Sequence, residues 1–321
     1  MWIELLCGLV IYKIITRFFS EDDDDIAVES SDSTALFTVA ERLGKLYGGK
    51  TYVGLRIPDA DTGTQKNVDI VLVTKSEAVV VSVKRFGGFV SINADGSWVC
   101  VGGSKHKEER HPDPIAETKQ QIAILESYLE QRGVSVPEGY FSCRVVCPNP
   151  KFSTLQSNFP PEVITYEQWI LMKKESKSMF SGWMKGAFSG GKKEMQEQLQ
   201  QKLNFILSTA PTWDRLELKG KYLLGEFLDF KGKQDDIQAL RNIKRSKVNR
   251  LIIQKTSMFG LAHSKLQVLY SPRDYRIEGA SGSDWKEATV RSSTEALFQP
   301  QNSTKVRKVK LSSIISMSLS A

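Results

Sequence analysis

The amino-acid order predicts an α/β protein, a mixed sheet flanked by helices, with a small β-rich module after it. Three observations carry this. Between residues 34 and 150 the patterns follow the order helix, strand, strand, strand, hairpin strand, helix, strand. Inside that stretch, two β-branched runs, Asn67 to Thr74 and Ala78 to Phe86, are separated only by Lys75-Ser76-Glu77, which is hairpin spacing. From Thr212 onward apolar residues recur with period 2, as in Tyr222 to Phe230 and Leu266 to Tyr270, separated by Gly and polar turns.

Composition narrows the classes. The 321 residues are 40% hydrophobic and 25% charged, ordinary for one large domain or two smaller ones. A net charge of +7 favours anionic partners, nucleic acid or anionic lipid. Cys7, Cys100, Cys143 and Cys147 are too scattered for a disulfide framework, and Cys143-x-x-x-Cys147 lacks the second pair that a zinc knuckle needs. Buried thiols in a reducing compartment are the expectation.

Residues Trp2 to Phe19 are the most apolar segment, and as a helix they extend about 27 Å, enough for a thin bilayer. Lys13 and Arg17 can snorkel to the interface. Glu4, the lack of an early basic residue and the lack of an Ala-x-Ala site argue against a cleaved signal peptide. Basic residues on the C-terminal side of the run place the main body in the cytosol by the positive-inside rule. A membrane anchor over residues 1–20 is therefore expected, the alternative being an amphipathic helix lying on a membrane or on the protein's own domain. Residues 21–33 form an acidic, polar linker.

Asp32 or Ser33 caps the first helix, with Leu36, Val39, Ala40, Leu43, Leu46 and Tyr47 at helical spacing, and Gly48-Gly49 stops it. Glu41 falls nearly opposite that stripe, which favours a solvent-facing glutamate over a metal ligand. Thr51 to Ile57 is a strand, and Pro58 to Gly63 a turn-rich loop. After the hairpin, Gly87-Gly88 bends the chain into Phe89 to Ile92, and a turn at Asn93 to Ser97 returns it as Trp98 to Val101. Residues Gly102 to His111 are charged and loop-like, so His106 and His111 read as solvated. Asp113 and Pro114 open a second helix with Pro at its first position and a stripe of Ile115, Ile122, Leu125 and Leu129. Phe141 to Cys147 is a further strand, and Val163-Ile164 a short one at the margin.

The hairpin holds two residues that its burial does not explain. Asp69 and Lys84 sit at the rims of central strands, where an unpaired charge costs desolvation energy. They are either a structural ion pair or part of a metal-dependent site.

The chain resembles the nuclease-related domain family (NERD), a branch of the restriction-endonuclease-like PD-(D/E)xK fold, over about residues 34 to 150. The resemblance rests on Ala40-Glu41-Arg42-Leu43, Asn67-Val68-Asp69-Ile70-Val71-Leu72 and Val81-Ser82-Val83-Lys84. Gly88, Asp95-Gly96-Ser97-Trp98 and the Asp113-Pro114 helix start add to it. It implies a restriction-endonuclease-like mixed sheet and Mg²⁺-assisted phosphodiester chemistry. In that motif an Asp and a Glu two residues before a Lys converge on the metal, and the Lys orients water or steadies transition-state charge. Asp69 and Lys84 stand in place, but Ser82 occupies the carboxylate position. The family's helix-borne Gln falls on Glu117 here. Either Glu117 or Glu41 supplies the missing carboxylate beside Asp69, or the domain is degenerate and binds without cutting. A first-turn Glu is also common simply because the helix dipole favours it. A weak or inactive nuclease is expected ahead of a fully active one.

Residues 34–170 are thus expected as the nuclease-related domain and 171–211 as linker and helix, the helix running from Glu194 to Leu207. A small basic β-rich module, OB- or SH3-like, is expected over 212–275, with a mostly disordered, Ser-rich tail over 276–321. Arg241, Lys244, Arg245, Lys247 and Arg250 form a basic run without an acidic residue, and Lys305 to Lys310 a second one. Both are candidate phosphate contacts to nucleic acid or anionic lipid.

Overall fold

The structure is a computed structural model that describes residues 33–75, 77–102, 108–155, 159–172, 193–246, 250–255, 265–271 and 285–320. The expected anchor (1–20), nearly all of the acidic linker and residues 173–192 lie outside them. Among the described residues no helix is long and apolar enough to cross a membrane.

The first unit opens with α1 (Thr34–Tyr47), β1 (Lys50–Pro58), β2 (Gln65–Val73) and β3 (Ala78–Val83). Short strands β4 (Gly88–Ile92), β5 (Trp98–Val101) and β6 (Glu109–His111) precede α2 (Pro114–Glu130) and β7 (Phe141–Val146). Then come β8 (Phe152–Ser153), β9 (Val163–Ile164) and α3 (Tyr166–Leu171). The main sheet has the order β1-β2-β3-β7-β9, antiparallel across β1, β2 and β3 and parallel from β3 to β7 to β9. A smaller sheet, β6-β5-β4-β8, packs Val90 and Trp98 against Ile115, Val145 and Cys147.

Both faces of the main sheet are covered, so its central strands are continuous apolar runs rather than alternating ones. On one face α1 buries Val39, Ala40 and Leu43 against Ile70, Leu72, Val79 and Val81. On the other, α2 brings Leu125 and Leu129 onto Val71, Val73 and Val80. That second face is completed by α4 (Lys193–Thr209), whose Leu203, Ile206 and Leu207 join the same core. The helix expected within a linker segment is therefore an integral layer of the first unit.

The second unit comprises β10 (Asp214–Leu218), β11 (Lys221–Lys231), α5 (Gln234–Ser246), β12 (Arg250–Lys255) and β13 (Lys265–Ser271). It continues through β14 (Lys286–Arg291), β15 (Glu295–Pro300), β16 (Arg307–Lys310) and β17 (Ile314–Ser318). These strands form one eight-stranded antiparallel sheet, β14-β13-β12-β17-β10-β11-β15-β16. The expectation of a disordered tail over 276–321 is corrected: four of the eight strands come from it. Their inward residues, Val290, Phe298, Val309 and Met317, belong to the core of the unit. Outward Lys, Ser and Thr dilute the alternation in strands of four to six residues.

The units are joined along the outer edge of β1. Arg56 N–H donates to Pro211 O (2.8 Å) and Trp213 N–H to Gly54 O (2.9 Å). Gly54 has φ +68°, and a Cβ there would come within 2.9 Å of a Leu224 methyl, so glycine is needed for both conformation and approach.

Candidate active site

β2 and β3 pair only as far as Ile70 opposite Val81. Beyond that point Asp69 does with its side chain what the strand no longer does with its backbone. Its Oδ2 accepts the Val83 N–H at 2.8 Å and lies 3.4 Å from Ser82 Oγ, which donates to it. The Lys84 N–H turns the other way, to Val146 O at 2.9 Å. Alternation along β3 puts Ser82 and Lys84 on the side of Val80, the face that α2 covers.

The start of α2 is fixed by Asp113, whose Oδ1 accepts the Ile115 N–H at 2.9 Å, and by Pro114 at the first position. That places Glu117 in the first turn, with Oε2 2.9 Å from Lys84 Nζ. Asp69, Ser82, Lys84 and Glu117, from three elements, thus meet at one end of the sheet. Ser82 is 2% exposed, whereas the Lys84 and Glu117 side chains are 27% and 39% exposed, which leaves the ion pair open to solvent. Burial raises the Asp69 carboxyl above its ordinary range. The Val83 N–H, Lys84 and the Ser82 hydroxyl oppose that shift, and the Glu117 charge adds to it.

Mg²⁺ takes oxygen ligands, commonly one or two carboxylates with the remainder from water and phosphate. Asp69 and Glu117 fit that minimum. Among the described residues, no group of three or more His, Cys, Asp and Glu side chains is placed to hold a metal. Glu41 does not join them. It rides on α1, on the opposite face of the sheet, exposed and paired with Lys45 one turn away. The expectation of Glu41 as a metal ligand beside Asp69 is corrected: its place opposite the apolar stripe of α1 points it to solvent.

The basic run lies in the second unit. Arg241 is exposed on α5, the same helix carries Lys244 and Arg245, and Arg250 opens β12; Lys247 lies outside the described residues. The His111 ring stacks on Phe86 (centroids 4.7 Å apart) instead of standing free in solvent, whereas His106 is outside the described residues. One residue escaped the sequence reading. Gln121 sits one turn beyond Glu117, and its buried Oε1 has no hydrogen-bond partner. The i, i+4 spacing from Glu117 was the available signal.

A mixed sheet covered by helices, with Asp, Lys and a helix-borne Glu at one strand end, defines a nuclease-like module. Residues 32–148 match the family model of the nuclease-related domain (NERD). No curated protein and no solved structure matches the chain.

Proposed function

We propose that the nuclease-related domain is a weak, Mg²⁺-assisted phosphodiester hydrolase in which Glu117 supplies from α2 the carboxylate that Ser82 cannot. The observation that carries it is the 2.9 Å contact of Glu117 with Lys84, beside Asp69. Mg²⁺, when bound, would neutralise charge developing on the phosphate and acidify a water. Asp69 and Glu117 offer the oxygen ligands. Ser82 steadies the Asp69 carboxylate through its hydroxyl. Lys84, released from Glu117, donates to the attacking water or a phosphate oxygen. Two features keep the activity low: the Lys84–Glu117 pair must open, and burial disfavours the charged form of Asp69.

The same closed ion pair favours a second reading, a fold that binds nucleic acid without cutting it. Cleavage of single- and double-stranded DNA and RNA with Mg²⁺ or Mn²⁺ separates the two. Under the first reading Asp69→Asn, Lys84→Ala and Glu117→Gln each lower the rate by about 100-fold or more. Adding Ser82→Glu to Glu117→Gln then restores at least part of it. A wild-type protein that never cuts, yet binds with an affinity falling steeply with salt, establishes the second reading.

We also propose that residues 1–20 anchor the protein to a membrane with its body in the cytosol, on the strength of the apolar run and its flanking basic residues. Deleting them is expected to move the protein from the membrane to the soluble fraction, and retention in the membrane fraction would refute the anchor.

A further inference from the structure

A cleft of about 490 Å³ lies between the two units, within the size range of small-molecule sites. One wall is α1, with Phe37 and Glu41. The other is the outer face of β10 and β11, with Arg215, Glu217 and Tyr222, and Trp213 lies where the units join. The Phe37 and Tyr222 rings stand 4.6 Å apart at 34°. Glu217 is held in place by two hydroxyls: Tyr222 Oη donates to its Oε1 at 3.3 Å, and Ser316 Oγ donates to its Oε2. Glu41 reaches the same space, its partnership with Lys45 being a solvent-exposed pair of small energetic weight.

We propose that this cleft binds a small organic cation, a guanidinium or alkylammonium, between the Phe37 and Tyr222 rings and the carboxylates of Glu41 and Glu217. Charge supports it: two carboxylates against the single guanidinium of Arg215 leave the lining at a net −1. Aromatic faces attract cations, and an ammonium or guanidinium donates charge-assisted hydrogen bonds to carboxylates. The Phe37 ring already attracts a cation of the wall itself, the Arg215 guanidinium lying 5.3 Å from its centroid. Glu41 and Glu217 both line the cleft, one from each wall. The walls come from both units, so an occupant would tie them together. The cleft is independent of the Asp69 site, which opens on the opposite face of the main sheet.

Calorimetric titration of the full chain with agmatine and with tetramethylammonium tests this. Saturable binding is expected, about tenfold weaker in Glu41→Gln and in Tyr222→Leu and unchanged in Glu130→Gln, an exposed site on α2. Glu217→Gln is expected to weaken it too; should that variant fail to fold, Glu41→Gln carries the test. Tighter binding of acetyl-arginine amide than of agmatine would assign the cation to a peptide side chain, and the reverse to a free amine; both outcomes support a cation site. No binding of any cation to the folded protein overturns the proposal. So does an affinity indifferent to Glu41→Gln and Tyr222→Leu, or adenosine monophosphate binding in place of the cations.

Discussion

At Asp69 burial disfavours the carboxylate, while the Val83 N–H and the Lys84 ammonium favour it; burial prevails, and the group titrates above its ordinary 3.8. From 3.8 up to that raised value, the folded state holds a proton that the unfolded state has lost. This residue's contribution to stability therefore falls as pH rises through that window and stays low above it. Asp69→Asn keeps an acceptor for Val83 and removes the charge. It is expected to raise the melting temperature at pH 7 by more than at pH 4.5, read by scanning calorimetry, while abolishing cleavage. A gain that grows toward acid would contradict this reading. Asp69 and Lys84 were legible in the sequence because charges at the rims of central strands are costly and need a reason. Ser82 was legible as a departure, but not as the hydroxyl that steadies Asp69. Glu117 could be placed by counting from Pro114, yet only the packing of α2 shows that it reaches Lys84.

The helices show where a pattern on one element stops being informative. The apolar positions of α4 identify a helix, but an amphipathic stripe does not say which surface it covers. The structure lays it on the α2 face of the main sheet, beyond the 32–148 segment that matches the family. Leu203 is fully buried there, so Leu203→Ala is expected to cost about 2–5 kcal/mol, measured by denaturant unfolding of the full chain. A cost below about 1 kcal/mol would mean that α4 is a dispensable layer. The strands β14 to β17 were illegible for a related reason. Each has only one to three inward apolar residues, and most of their partners are distant in sequence, so local alternation barely rises above a Ser-rich background.

Over the whole molecule, the two units are held together by an edge. β1 ends the main sheet, and a bare edge strand offers unpaired N–H and C=O groups to any other strand. Here Pro211 to Trp213 covers it with two backbone hydrogen bonds, which together make the antiparallel Leu55–Thr212 bridge. Trp213 fastens the cover: its indole N–H donates to Asn67 Oδ1 at 3.1 Å, and the Arg56 guanidinium lies 4.1 Å from its ring centroid. A chain ending at residue 210 keeps α4 and every layer of the first unit, but loses this cover. It is expected to remain folded and to self-associate through β1, which sedimentation would show as dimers or larger species growing with concentration. Placing a lysine at Thr51, outside the covered segment but on the same strand, adds a charge to that edge and is expected to shift the truncated chain back toward monomer. A truncated chain that stays monomeric at high concentration would show that β1 protects its own edge, leaving the second unit's contact to serve the cleft rather than the fold.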